Sequence, residues 1–266
     1  MAEVEDPFAD AARPNPFDST VRHRRSARSV FRAFIRPANY TGLLQVLSRC
    51  DRPLEFLARY LAGAGDYPTT LSLRHGPRIT VYSPDDVQTV NEIFFRGDYH
   101  VPGRNRVIVD FGANIGVSAL YFLRDPEAFV YAYEPLPLNV QRFRRNVPDR
   151  YELIEAAVGV QAGPVSFGYE PTGRYGGIGR ETGVTVEVPC LDANRELAAI
   201  SDRHGQIDVL KIDIETMEAA IVGRMPSDLA RRIRNLVVEY PFRENPLAAT
   251  HEMRVSRLIS RFRRRA

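Results

Sequence analysis

The sequence is poor in cysteine, almost empty of lysine, and without a long apolar run. Each shortage removes a class of function. Its two cysteines, Cys50 and Cys190, stand far apart and outside any paired metal-ligand spacing. They read as reduced, buried thiols, not as a disulfide or a zinc site, and no metal site is expected. No stretch approaches the roughly 18 apolar residues of a membrane span, so no membrane partner is expected. The opening "MAEVEDPFAD" is acidic and lacks the apolar core of a secretory signal. The cytoplasm is the expected compartment.

Lysine is the sharpest shortage. Of 36 Lys and Arg side chains only Lys211 is a lysine. Such a skew fits a compositional bias in the coding sequence, which makes the one exception informative. Arginine is a planar fork and lysine a compact ammonium whose pKa moves on burial, so the two do not interchange at a tight site. The net charge of +3 leans on arginine clusters, "RHRRSAR" near the start and "RFRRRA" at the end. No recognised nucleic-acid module accompanies them, so they read as solvated arms with no nucleic-acid partner.

At 266 residues the chain holds one sizeable core plus extensions. Residues 1–28 are rich in Pro, Asp, Ala and Arg with no apolar period, and read as a disordered arm. Residues 29–100 read as a helical and hairpin extension. Short helices break at Pro37 and Pro53, and "TTLSLR" and "RITVY" alternate as a hairpin. Then "SPDDVQTVNEIFF" opens a helix, with Ser83 as cap and Pro84 in its first turn. From 101 to 266 strands and helices alternate, the pattern of an α/β sheet. Strands are expected at 106–111, 128–134, 151–157, 207–213 and 234–240, with helices near 115–123, 137–146, 192–201 and 215–223. Extra strands at 164–170 and 184–190 flank "GRYGGIGRETG", read as a mobile loop beside the acceptor pocket. The closing "THEMRVSRLISRF" reads as a helix.

The chemistry concentrates in "RVIVDFGANIG", residues 106–116. A phosphate-binding loop would carry a lysine after its glycines, and none follows. The turn supplies two of the three glycines of a dinucleotide fingerprint, and Asp110 beside it would repel a pyrophosphate. Glu134 ends the next strand, where a carboxylate accepts hydrogen bonds from ribose hydroxyls. Two acids around such a turn describe a nucleoside with a cationic tail, namely S-adenosylmethionine. The glycines also fit a plain, tight strand-to-helix connection, and Asp213 a helix-capping acid.

Five segments, "VIVDFGANIGVSALYFL", "VYAYEPLPLNVQRFRRNV", "ELIEAAVG", "VPCLDANREL" and "IDVLKIDIETMEAAIV", resemble in order and spacing the FkbM family of S-adenosylmethionine-dependent methyltransferases. The resemblance covers about residues 80–240. It implies a Rossmann-like class I methyltransferase sheet with helices on both faces and methyl transfer to a hydroxyl of a sugar or secondary metabolite. It further implies that Asp110, Gly112, Ala113, Asn114 and Gly116 line the methionine part of the cofactor. Glu134 would hold the ribose, with Pro135 shaping the adjoining turn and Ala156 and Ala157 at the adenine edge. Asp213 and Glu215 would face the methyl and the acceptor, Asp213 first and Glu215 second as proton acceptor. Lys211 would orient or polarise the acceptor, and His100 is an outside candidate.

Three departures from the family pattern stand out. Members commonly read Glu–Gly–Ala–Glu where this chain has Glu215–Thr216–Met217–Glu218, which puts bulk where backbone should approach a ligand. Tyr240 follows Glu239 where a histidine is common. The last hairpin of a seven-stranded sheet is expected to be missing, leaving an edge for a homo-oligomer to cover. Alternative readings are a weakly active or inactive methyltransferase-like scaffold and a nicotinamide-dependent reductase.

Overall fold

The computed structural model describes residues 38–170, 176–180 and 184–265. The expected arm at 1–28 lies outside them. Two compact units divide at Gly97–Asp98.

In the first unit, helices α1 (Ala38–Arg49) and α2 (Pro53–Ala62) precede an antiparallel hairpin of β1 (Thr69–Ser72) and β2 (Arg78–Val81). Helix α3 (Pro84–Val90) follows and runs on into a wider π-turn over Asn91–Phe95. Its start is a reciprocal cap. Ser83 Oγ accepts the Asp86 N–H at 3.2 Å, and Asp86 Oδ2 accepts the Ser83 N–H at 3.0 Å. Val46, Phe56, Ile79, Val87 and Phe95 are buried, Phe56 meeting Phe95 edge-on at 5.0 Å.

The second unit is built on a seven-stranded sheet. In chain order its members are β3 (Val107–Phe111), β4 (Phe129–Tyr133), β5 (Tyr151–Ile154), β10 (Ile207–Ile212), β11 (Ile233–Val238), β12 (His251–Ser256) and β13 (Ile259–Arg264). In space they lie β12-β13-β11-β10-β3-β4-β5. The five from β5 to β11 run parallel; β13 is antiparallel to β11, and β12 to β13. The inner strands β3 and β10 are near-continuous apolar runs because both faces are covered. Helices α4 (Val117–Phe122) and α5 (Pro137–Asn146) connect β3, β4 and β5. Residues of α6 (Ala193–His204), α7 (Glu218–Gly223) and α8 (Ser227–Ala230) share a core with Phe111, Leu210, Ile212 and Leu236 of the sheet.

Between β5 and α6 stands a second sheet of order β6-β9-β7-β8. It comprises β6 (Ala157–Gly159), β7 (Gly163–Tyr169), β8 (Gly176–Ile178) and β9 (Val184–Asp192). Its core holds Leu136, Ala157, Phe167, Val188 and Cys190.

Three expectations need correction. The closing segment is the hairpin β12–β13, not a helix, and the sheet has its full seven strands. The buried Ile259 and Phe262 stand three residues apart, a helical spacing, on a strand otherwise rich in arginine. With β13 paired to β11, the reason for expecting an open edge there disappears. The strand expected at 151–157 divides, with β5 in the large sheet and β6 paired with β9 in the small one. Finally, "GRYGGIGRETG" is not loop throughout, because Gly176–Ile178 pairs with β7; residues 171–175 and 181–183 lie outside the described residues.

Candidate functional site

Chain order along the sheet reverses between β3 and β10, and in open parallel sheets ligands bind outside the carboxyl ends of the strands at such a point. The turn after β3 has left-handed backbone at Gly112 (φ 80°), Asn114 (φ 48°) and Gly116 (φ 89°). Its N–H groups strap it to the end of β4. Gly112 and Ala113 donate to the Tyr133 carbonyl at 3.1 and 2.9 Å, and Asn114 donates to Glu134 Oε2 at 2.9 Å.

The need for glycine comes from the protein itself. A Cβ on Gly112 would sit 1.9 Å from the Asp213 carbonyl oxygen, and one on Gly116 would sit 2.6 Å from Val147 Cγ2. Gly112 thus lets the exit of β10 approach, and Gly116 lets α4 close onto the end of α5. Close approach to a ligand is not what these two Cα atoms show.

Glu134 is 5% exposed. Its Oε1 accepts from the Leu136 N–H at 3.0 Å and from Asn139 Nδ2 at 3.3 Å, while Oε2 takes only the Asn114 N–H. One lone pair on Oε2 remains for a hydroxyl donor. Burial pushes its pKa up to about 7, against the pull of those hydrogen bonds. Pro135 is half-buried beside it, and Ala156 and Ala157 are buried. Ala157 belongs to the core of the small sheet.

Asp110 is wholly enclosed. Its Oδ2 accepts from Ser118 Oγ at 2.5 Å, and Oδ1 forms an ion pair with Lys211 Nζ at 3.0 Å. The ammonium donates to the carbonyls of Gly112 (2.6 Å) and Phe111 (3.3 Å) and lies 3.5 Å from Asp213 Oδ2. Burial works against that charge, but Asp110 and Asp213 outweigh it and hold the lysine pKa above its ordinary value. At 2% side-chain exposure, Lys211 ties the glycine turn to β10 and stands between Asp110 and Asp213.

Lys211 and Asp213 share a face as period two requires, with Ile212 turned into the core. The Asp213 side chain is 27% exposed. Its Oδ2 accepts from Tyr99 at 3.0 Å, and among the described residues Oδ1 accepts nothing. Tyr99, which sequence reading passed over, also donates to Glu239 Oε2 at 3.3 Å.

The expected helix at 215–223 begins only at Glu218, because Glu215 is left-handed (φ 69°). Glu218 Oε1 accepts the Ile214 and Glu215 N–H groups at 2.8 and 2.5 Å, which pins the loop. Burial and the Asp213 charge raise the Glu215 pKa, and Arg180 pairs with its Oε2 at 3.0 Å. The bulk of Thr216 turns toward β8, where a Cβ on Gly177 would meet Thr216 Cγ2 at 2.9 Å. His100 is exposed.

Lys211 thus stands between Asp110 and Asp213, and Tyr99 joins Asp213 to Glu239. A family model for the methyltransferase FkbM domain matches residues 110–258, more than half the chain. The chain belongs to the FkbM methyltransferase family.

Among solved structures, this FkbM-family chain is similar to a methyltransferase from Geobacter sulfurreducens, at 15% identity and TM-score 0.37, over 66% of this chain and 78% of that one. It is similar to EvdMO1 at 14% identity and TM-score 0.36, over 69% and 42%. A fibrillarin pre-rRNA processing protein from Methanococcus jannaschii aligns at 11% identity and TM-score 0.35, over 61% and 68%. No curated protein matches the chain. No helix among the described residues is long and apolar enough to cross a membrane. No group of three metal-ligating side chains occurs among them.

Proposed function

We propose that this FkbM-family protein is an S-adenosylmethionine-dependent O-methyltransferase acting on a hydroxyl of a small molecule, a sugar or secondary metabolite. The observation that carries the reading is the pair of acids at the ends of β4 and β10, Glu134 and Asp213. The one lysine beside them is buried on backbone carbonyls and offers nothing to a pyrophosphate. Asp213, part-exposed, fits a ligand with an ammonium and a sulfonium, and the open lone pair of Glu134 fits a ribose hydroxyl.

S-adenosylmethionine, when bound, supplies an electrophilic methyl group. The chain's part is to hold and to accept. Glu134 would hold the ribose, with Pro135 shaping the turn and Ala156 at the adenine edge, and Asn114 would stand on the methionine side. Asp213 Oδ1 stands ready to take the acceptor hydroxyl's proton, a transfer worth about 10²–10⁴ in rate. Glu215, its proton affinity raised, is the second acceptor once Arg180 releases it. Positioning of the two reactants supplies most of the remaining acceleration.

Titration calorimetry tests this directly. Heat should appear with S-adenosylmethionine and its demethylated product, and none with NAD or ATP. Tight NAD binding without heat from S-adenosylmethionine would overturn the reading. A product heavier by one methyl, from a pool of small hydroxylated compounds, would identify the acceptor.

A further inference from the structure

We infer that Tyr99 is a positioning residue whose buried hydroxyl, shared between Asp213 and Glu239, turns Asp213 Oδ2 inward and leaves Oδ1 to the acceptor. The inference rests on reading Asp213 as the proton acceptor. Tyr99 is on no strand, yet its place is fixed. Arg261 of β13 donates to the carbonyl of the preceding Asp98 at 2.6 Å, and Arg257 pairs with the Asp98 carboxylate at 3.5 Å. The C-terminal hairpin thus holds the segment that enters β3. The ring lies against the Lys211 ammonium, 5.7 Å from Nζ to its centroid.

A phenol has one proton to give. Here two carboxylates, one after β10 and one after β11, stand at 3.0 and 3.3 Å from that oxygen. With Tyr99 only 6% exposed, water cannot easily replace the bond. Removing the hydroxyl leaves like charges facing each other and frees the Asp213 carboxylate to rotate. Burial first, then the charges of Asp213 and Glu239, hold the phenol well above its ordinary pKa, so it stays a donor throughout the working range. The groups facing Asp213 are Tyr99, Glu239 and Lys211, with Glu215 and Glu218 on the following segment and Asp110 beyond the lysine.

Carbon-13 NMR of the Asp213 carboxyl, assigned by its loss in Asp213→Asn, tests this in the free protein. At neutral pH that resonance should move in Tyr99→Phe, because the carboxylate loses its donor. Glu239→Gln should move it as well, and that change should shrink in the Tyr99→Phe background. An unmoved resonance in Tyr99→Phe, or strictly additive effects, would overturn the inference. Should Tyr99→Phe fail to fold, the Tyr99 Cζ resonance of the wild type serves instead. It should move in both Asp213→Asn and Glu239→Gln, and an unmoved resonance in either would refute the coupling. Neither readout uses cofactor or acceptor, so failure of the calorimetry above and failure here are separate results.

Discussion

Replacing Lys211 with methionine isolates the one lysine from its surroundings. The substitution keeps the length of the stem and deletes the ammonium, leaving Asp110 ionised at 0% exposure beside Ser118 alone. It also takes the Lys211 donor from the Gly112 carbonyl, while the Phe111 carbonyl keeps the Asp213 N–H at 3.1 Å. Breaking a buried pair by removing one partner costs about 3–5 kcal/mol, mostly the stranded charge. For a unit the size of Asp98–Ala266 that is a fall in Tm of roughly 6–20 °C. Adding Asp110→Asn to Lys211→Met should recover a large part of the loss, since no charge is then stranded. The pH dependence has a definite sign. The folded lysine keeps its proton to higher pH than the unfolded chain, whose pKa is near 10.5. Its contribution is therefore fully present below that value and is lost as pH rises through the folded pKa. Scanning calorimetry near neutral pH is the assay. A Lys211→Met protein melting within about 2 °C of the wild type, against the 3–5 kcal/mol expected, would refute the reasoning.

Glu134 gives the opposite pH behaviour to a salt-bridged acid. Its folded pKa of about 7 lies above the ordinary 4.5, so the free protein should lose stability as pH rises between those values, and Glu134→Gln should flatten the slope in denaturant melts. Because a ribose hydroxyl needs the carboxylate, S-adenosylmethionine affinity should weaken by up to about tenfold per pH unit below the pKa, and pH-independent calorimetry would count against this. Gly112→Ala places a left-handed alanine and a Cβ 1.9 Å from a carbonyl oxygen. The backbone term costs about 1–2 kcal/mol and the overpacking about 1–3, so a urea midpoint matching the wild type would show that the β10 exit yields freely.

Much of the fold was legible because buried parallel strands declare themselves. "VIVDF", "DVLKI" and "NLVV" are apolar nearly throughout, and β3, β10 and β11 lie within a residue or two of their expected bounds. The C-terminal hairpin was not. An outer strand needs few apolar side chains, and β12 buries only His251, whose Nε2 reaches the Ile233 carbonyl at 3.0 Å. A buried histidine and scattered arginines carry no period that distinguishes strand from helix.

The candidate site divides along the same line. Residue types showed where unusual chemistry stands: the lone lysine, the acids at strand ends, the glycines of the turn. What they answer to is mostly backbone, and a carbonyl oxygen leaves no mark on the sequence. Gly112 is required by the Asp213 carbonyl, Lys211 is held by those of Phe111 and Gly112, and Glu134 is engaged by the Asn114 and Leu136 N–H groups. The partners of Lys211, two carbonyls and two carboxylates of its own chain, were therefore not legible from its residue type. Tyr99 escaped notice for the converse reason. It lies 114 residues from Asp213 and 140 from Glu239, and only the pairing of β3, β10 and β11 brings one phenol between the two acids. An acid after β10 with one oxygen fixed and the other open is a property of that pairing, and on the proposed function that open atom, Asp213 Oδ1, is the proton acceptor.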